Sequence, residues 1–211
     1  MKKYIAEVIG TFALVFCGTG AIIINQETGG VISHAGVAVT FGLIVTVMIY
    51  SLGTISGAHL NPAVTIALAI AKLFPAKEII PYALGQTIGA FIASVTLHFL
   101  FPNNEYLGST LPSGDPMQSF ILEIILTFLL MLTIIQLAKE SNKQGDFAGL
   151  IIGSVVLLEA MFAGPISGAS MNPIRSFSPA LISGHTEYLW IYLFAPVIGA
   201  ISAVGVGKVL K

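Results

Sequence analysis

The sequence predicts an all-α membrane protein: six transmembrane helices plus two re-entrant half-helices, arranged as an inverted repeat in one membrane domain over residues 1–211. Three observations predict it. Apolar residues make up 55% of the chain and charged ones 9%, against about 25% charged in soluble domains. Six apolar segments approach the ~20 residues that a bilayer requires. One octapeptide pattern occurs twice, as SGAHLNPA at 56–63 and SGASMNPI at 167–174.

The spans run over about 4–24, 34–52, 79–101, 118–138, 147–164 and 188–210. The first could be mistaken for a signal peptide, since Lys2 and Lys3 precede it, or for a lipoprotein leader ending at Cys17-Gly18. Both readings are set aside. Phe16 is bulky where a small residue is wanted, Glu7 interrupts the run, and the run continues to Ile24. Cys17 is the single cysteine, so no intrachain disulfide is expected. The net charge of −1 gives no sign of a nucleic-acid partner, and none is expected.

The connections differ in charge. All eight lysines (Lys2, Lys3, Lys72, Lys77, Lys139, Lys143, Lys208, Lys211) fall at the termini, after the first Asn-Pro element, or between spans four and five. The connections 25–33 and 102–117 contain no Lys or Arg. Six spans place the lysine-bearing segments on one side, which the positive-inside tendency makes cytoplasmic. Both termini are therefore expected in the cytoplasm of a cell-membrane protein. Arg175 is the one remaining cation, and it lies inside the second Asn-Pro element.

The duplication extends beyond the octapeptide. Glu7-x-x-x-Thr11-Phe12 in span one matches Glu123-x-x-x-Thr127-Phe128 in span four, and Gly89-Ala90 matches Gly199-Ala200. The offsets are 116, 111 for the octapeptide, and 110. Order is kept while one connection changes length, giving repeats of about 1–105 and 117–211. Three spans per half invert the second repeat, which places the shared elements near the midplane.

Asn is a preferred N-cap and Pro a preferred first helical residue, so each octapeptide should start a helix. The apolar runs that follow, 63–71 and 174–182, rise about 15 Å, half of the ~30 Å hydrocarbon thickness. Two half-helices entering from opposite faces would bring their N-termini, with partial positive charge and free N–H groups, together at the centre. Irregular polar backbone at that depth must be buried in protein or line a wet cavity. Backbone carbonyls before each Asn, of Gly57, Ala58, His59 and Leu60 and of Gly168, Ala169, Ser170 and Met171, should form acceptor ladders. An arginine at membrane depth needs a cavity or a partner, which singles out Arg175.

On these motifs the chain resembles the aquaporin, or major intrinsic protein, family over essentially its whole length. Residues 56–63 carry the resemblance, with Asn172-Pro173-Ile174-Arg175-Ser176-Phe177 and the carboxylates Glu7 and Glu123. It implies a right-handed bundle of six helices and two half-helices, four chains per assembly, and one pore per chain within membrane lipid. Asn61 and Asn172 would aim their amides at the pore centre. Water accepting from both would point its hydrogens outward, and the facing helix ends would repel cations. The resemblance makes Arg175 the fixed arginine of the outer constriction. Spacing from the Asn-Pro pairs carries over Phe41, Ala160 and Ala169 as its other members. Strict water channels often have His at the place of Ala160; its absence widens the constriction for small neutral solutes.

The stretch 163–173 is similar to the plant nodulin-like branch, which includes metalloid and glycerol conductors. Ser176 and Ala180 lean instead toward water channels, and Leu193 toward the solute branch. Glu7 and Glu123 are read as acceptors for backbone N–H groups of the two loops; a proton relay is the competing reading. Glu159, beside Ala160, is read as reaching toward the headgroups. His59 is expected to line the cytoplasmic half of the pore, and Ile174 to pack where the half-helices meet. Gly85, Gly89, Gly199 and Ala203 suit close helix contacts. His34, His98 and His185 share no ligand spacing, and no metal or cofactor site is expected.

A passive channel for water and small neutral solutes, closed to protons and ions, accounts for all of these features. A glycerol or metalloid hydroxide facilitator is the nearest alternative. A secondary transporter would share the inverted repeat but would need an ion site among Glu7, Glu123 and Glu159. An enzyme would need a paired nucleophile and base, a metal cluster or a nucleotide loop, none of which the sequence offers.

Overall fold

The computed structural model describes residues 1–138 and 145–210. Lys139, Lys143 and Lys211 lie outside the described residues. The elements are α1 (Lys2–Glu27), α2 (Ser33–Ser56), α3 (Pro62–Ile70), α4 (Ile79–Leu100), α5 (Pro116–Leu137), α6 (Ala148–Ser167), α7 (Pro173–Ser183) and α8 (Leu189–Val209). Single 3₁₀ turns precede α4 and α6, and no strand occurs among the described residues. Among the described residues, six helices are long and apolar enough to cross a membrane. The short α3 and α7 are the two re-entrant half-helices.

Helices α1, α2 and α6 run three or four residues past the ends of their apolar segments. Helix α2 continues to Ser56 and stops where Gly57 turns left-handed, at φ 86°. Helix α6 continues through Pro165 to Ser167 and stops at Gly168, φ 81°. Glycine adopts this region without the Cβ clash that stops other residues. Both half-helices start as their sequence requires. Asn61 Oδ1 accepts from Ala63 N at 2.9 Å, Asn172 Oδ1 accepts from Ile174 N at 3.1 Å, and a proline follows each.

Helix α1 packs on α2 and α4, and α5 packs in the same way on α6 and α8. Backbones meet at glycines. A Cβ on Gly89 would fall 2.2 Å from the Val8 carbonyl oxygen, and one on Gly199 would fall 2.2 Å from that of Ile124. Small residues allow this where no hydrophobic drive operates between helices. Outward faces carry Ile5, Ile9, Leu43, Val47, Leu84, Ile88, Ile121 and Ile125, all exposed on the isolated chain and suited to lipid. The polar side chains point inward. Glu7, Thr11, Gln86, Glu123, Thr127 and Ser176 are all fully buried.

Candidate functional site: a cavity between two helix N-termini

The loops before α3 and α7 share one backbone. Left-handed φ values occur at Gly57, Ala58 and Leu60 and again at Gly168, Ala169 and Met171. Four of these residues are not glycine, so each loop is held in a conformation that costs about 1–3 kcal/mol per such residue. Carboxylates hold it. Glu7 accepts from His59 N (3.0 Å), Leu60 N (2.8 Å), Ser56 Oγ (2.7 Å) and Gln86 Nε2 (2.7 Å). Glu123 accepts from Ser170 N (2.8 Å), Met171 N (2.8 Å) and Ser167 Oγ (2.8 Å). A tyrosine completes each frame. Tyr82 Oη donates to the Ser56 carbonyl and Tyr192 Oη to the Ser167 carbonyl, both at 2.8 Å. Sequence reasoning missed both tyrosines, although their separation repeats the 110-residue offset of the glycines.

The two loops meet through their asparagines. Asn61 Nδ2 donates to the Met171 carbonyl at 2.7 Å, and Asn172 Nδ2 donates to the Leu60 carbonyl at 2.8 Å. Each amide therefore uses one hydrogen across the junction and keeps one for the cavity. This narrows the ladder expected from sequence. The Leu60 and Met171 carbonyls are taken by protein, whereas those of Gly57, Ala58, His59, Ala169 and Ser170 meet no protein donor among the described residues. Gly168 is not among the residues that border the cavity, and a Cβ added to it would lie 2.9 Å from Thr110 Cγ2.

A cavity of about 380 Å³ runs along this junction. At one end it is lined by Leu73, Leu137, Ala138 and Ala148, and His59 borders it further in. Asn61 and Asn172 line its middle, and Phe41, Ala160, Ala169 and Arg175 its other end. All four residues singled out for a constriction thus border one space, from four different chain segments. Glu7 and Glu123 lie behind it, as the loops' supports.

The far end has its own scaffold. Arg175 is 2% exposed; its Nη1 donates to the Gly108 carbonyl at 2.9 Å, and its Cζ stands 5.0 Å from the Phe41 ring centre. That geometry is a cation–π contact. Its Nε has no partner among the described residues. Gly108 belongs to the 101–115 connection, which folds inward. Leu107 is 1% exposed, Thr110 Oγ1 donates to Ser176 Oγ at 2.7 Å, and Ser113 N donates to the Ile166 carbonyl at 2.9 Å. No periodicity marks such a connection in sequence. Phe41 is seated from the other side by Gly18, where a Cβ would fall 2.2 Å from the ring.

One expectation is corrected. Glu159 does not reach the surface; it is 4% exposed, and neither carboxyl oxygen has a partner among the described residues. Ile174 is buried with Val15, Ala90 and Ala93 of α1 and α4. No cluster of metal-ligating residues occurs among the described residues.

Comparison with known proteins agrees with this architecture. The family described as "Major intrinsic protein" matches residues 1–206. The chain is 45% identical to aquaporin NIP1-1 of Oryza sativa subsp. japonica over all of its own length and 75% of that protein. It is 42% identical to nodulin-26 of Glycine max, again over the whole chain and 78% of that protein. Among solved structures it is similar to the aquaglyceroporin from Plasmodium falciparum, with a TM-score of 0.88 and 28% identity, covering 99% of this chain and 96% of that one. The chain belongs to the major intrinsic protein family, in its nodulin-like aquaporin branch, and is a membrane channel and not an enzyme.

Proposed function

We propose that water and small uncharged solutes of the size of urea or glycerol pass in single file through the cavity, with Asn61 and Asn172 at its centre. The observation that carries this reading is the single cavity bordered both by the two Asn N-caps and by Arg175 with Phe41. At the centre, each amide keeps one N–H for a passing oxygen. Two helix N-termini face each other there, so a cation or a hydronium meets partial positive charge from both sides. The unpaired carbonyls on either side accept hydrogen bonds from the permeant and replace those it leaves in bulk water.

Phe41, Ala160, Ala169 and Arg175 form the outer constriction. Arg175 and the Phe41 ring make a polar wall and a greasy wall, while Ala160 and Ala169 leave room that an imidazole would fill. The similarity to nodulin-26-type proteins and to an aquaglyceroporin favours a solute larger than water among the cargoes. Glu7 and Glu123 are poor proton carriers for a coupled transporter, because they are engaged by four and three donors; of the three candidate carboxylates only Glu159 lacks such partners among the described residues. Both termini face the cytoplasm of the cell membrane, from the placement of the lysines. Four chains assemble side by side, each with its own pore.

Stopped-flow light scattering on proteoliposomes tests the reading. Wild type should pass water and at least one of glycerol and urea, and Ala160→His should lower the solute flux proportionally more than the water flux. No solute flux in wild type, or equal losses in the variant, would reject the wide constriction.

A further inference from the structure

We propose that His34 is a positioning residue for the outer constriction, supplying from α2 the hydrogen bond that Pro165 withholds within α6. The proposal rests on the reading of Phe41 and Ala160 as walls of that constriction.

Residue 165 of a regular helix would donate its N–H to the carbonyl of residue 161, and proline has no N–H to give. Helix α6 nevertheless continues through Pro165 to Ser167. The Met161 carbonyl thus loses its intrahelical partner, at an exposed position beside the first turn of α2. His34 Nε2 stands 2.6 Å from that oxygen. A carbonyl only accepts, so Nε2 carries the hydrogen. The fit needs Gly164, since a Cβ there would fall 2.8 Å from His34 Cε1. Gly164 and Pro165 thus create one vacancy and one unmet acceptor, and the imidazole answers both.

The bond spans the two helices that carry opposite walls. His34, Ala38, Phe41 and Val45 share one face of α2 at spacings of four, three and four. Met161 directly follows Ala160 on α6. Deeper in, α2 and α6 are locked by close backbone packing, with a Cβ on Gly42 falling 2.7 Å from the Gly153 carbonyl. At the lysine-bearing end the Tyr50 hydroxyl accepts from Leu150 N at 3.4 Å. At the constriction end the corresponding tie between α2 and α6 is His34. Without it the first turns of α2 are free to lean away, and Phe41 retreats from Arg175 and Ala160.

The test is a double-mutant cycle on glycerol and water permeability in proteoliposomes. His34→Phe fills the space without a donor; His34→Gln keeps an N–H donor of similar reach. His34→Phe should raise the glycerol-to-water ratio roughly two- to fivefold, the effect of one lost hydrogen bond. His34→Gln should stay near wild type. In a Pro165→Ala background, where residue 165 again donates to Met161, His34→Phe should change little. Equal effects of Phe and Gln, or the same effect of His34→Phe in both backgrounds, would overturn the proposal. Ala160→His, run alongside, separates the two readings. If glycerol does not cross wild type or Ala160→His leaves the ratio unchanged, the constriction reading fails. The staple is then judged by the same cycle on the thermal unfolding midpoint, where coupling between residues 34 and 165 should persist and its absence would reject it.

Discussion

The two re-entrant loops share a frame and differ in the walls they present. Both hang from a buried glutamate, a serine hydroxyl and a tyrosine hydroxyl, and both end in an Asn that caps a half-helix and reaches across to the other loop. At the 111-residue offset of the loops, Val64 stands where Arg175 does, Ile49 where Ala160 does, and Ile152 where Phe41 does. All six line the cavity. Among these six, one end is therefore apolar and the other carries the buried Arg175. In the proposed channel, frame and selection are separable: the two loops share the first, and the proposed constriction rests on a few side chains that do not match.

The supports differ as well. Glu7 has a fourth donor in Gln86, while the position 110 residues on is Pro196, and Glu123 keeps three donors. Glu7→Gln should therefore be the most damaging change, at about 2–3 kcal/mol, because one acceptor oxygen becomes an NH2 facing buried donors. Glu123→Gln should cost roughly 1 kcal/mol less. Thermal unfolding in detergent ranks them, and the reverse order would break the comparison.

Arg175→Val makes the second loop copy the first. Water should still pass, while proton or cation leak rises roughly tenfold, equivalent to ~1.4 kcal/mol of lost barrier. An intravesicular pH dye reads the leak, and an unchanged value would remove Arg175 from the barrier. Gly18→Ala probes the opposite wall without touching the cavity. The added methyl should drive the Phe41 ring toward Arg175 and lower glycerol flux roughly fivefold, from ~1 kcal/mol of overpacking, with a smaller loss for water. Tyr82→Phe and Tyr192→Phe should have the smallest effects, about 1 kcal/mol of stability each. Unequal losses would show that the two frames are not equivalent.

Much of this was legible in the sequence, for identifiable reasons. The Asn-Pro pairs report their own geometry, because Asn caps and Pro starts a helix whatever surrounds them. The spans follow from hydropathy alone. Glu7 and Glu123 are conspicuous because carboxylates are rare in apolar runs. The remainder depends on contacts between distant segments. The inward fold of 101–115, which brings the Gly108 carbonyl to Arg175, has no local pattern. Gly18 beneath Phe41 reads as one more small residue in a membrane helix. Pro165 suggests a helix end near Gly164, whereas α6 continues to Ser167, with His34 of α2 beside the carbonyl that proline leaves open. Glu159 next to Ala160 looks like a surface charge until its burial is known.

The central claim is passive conduction past a central barrier that protons do not cross. It is tested most directly by recording osmotic water flux and intravesicular pH together on wild-type proteoliposomes. The account predicts water permeability well above that of protein-free vesicles, flux linear in the osmotic gradient, and no accompanying proton movement. Saturating flux, or proton entry that follows the water, would contradict it.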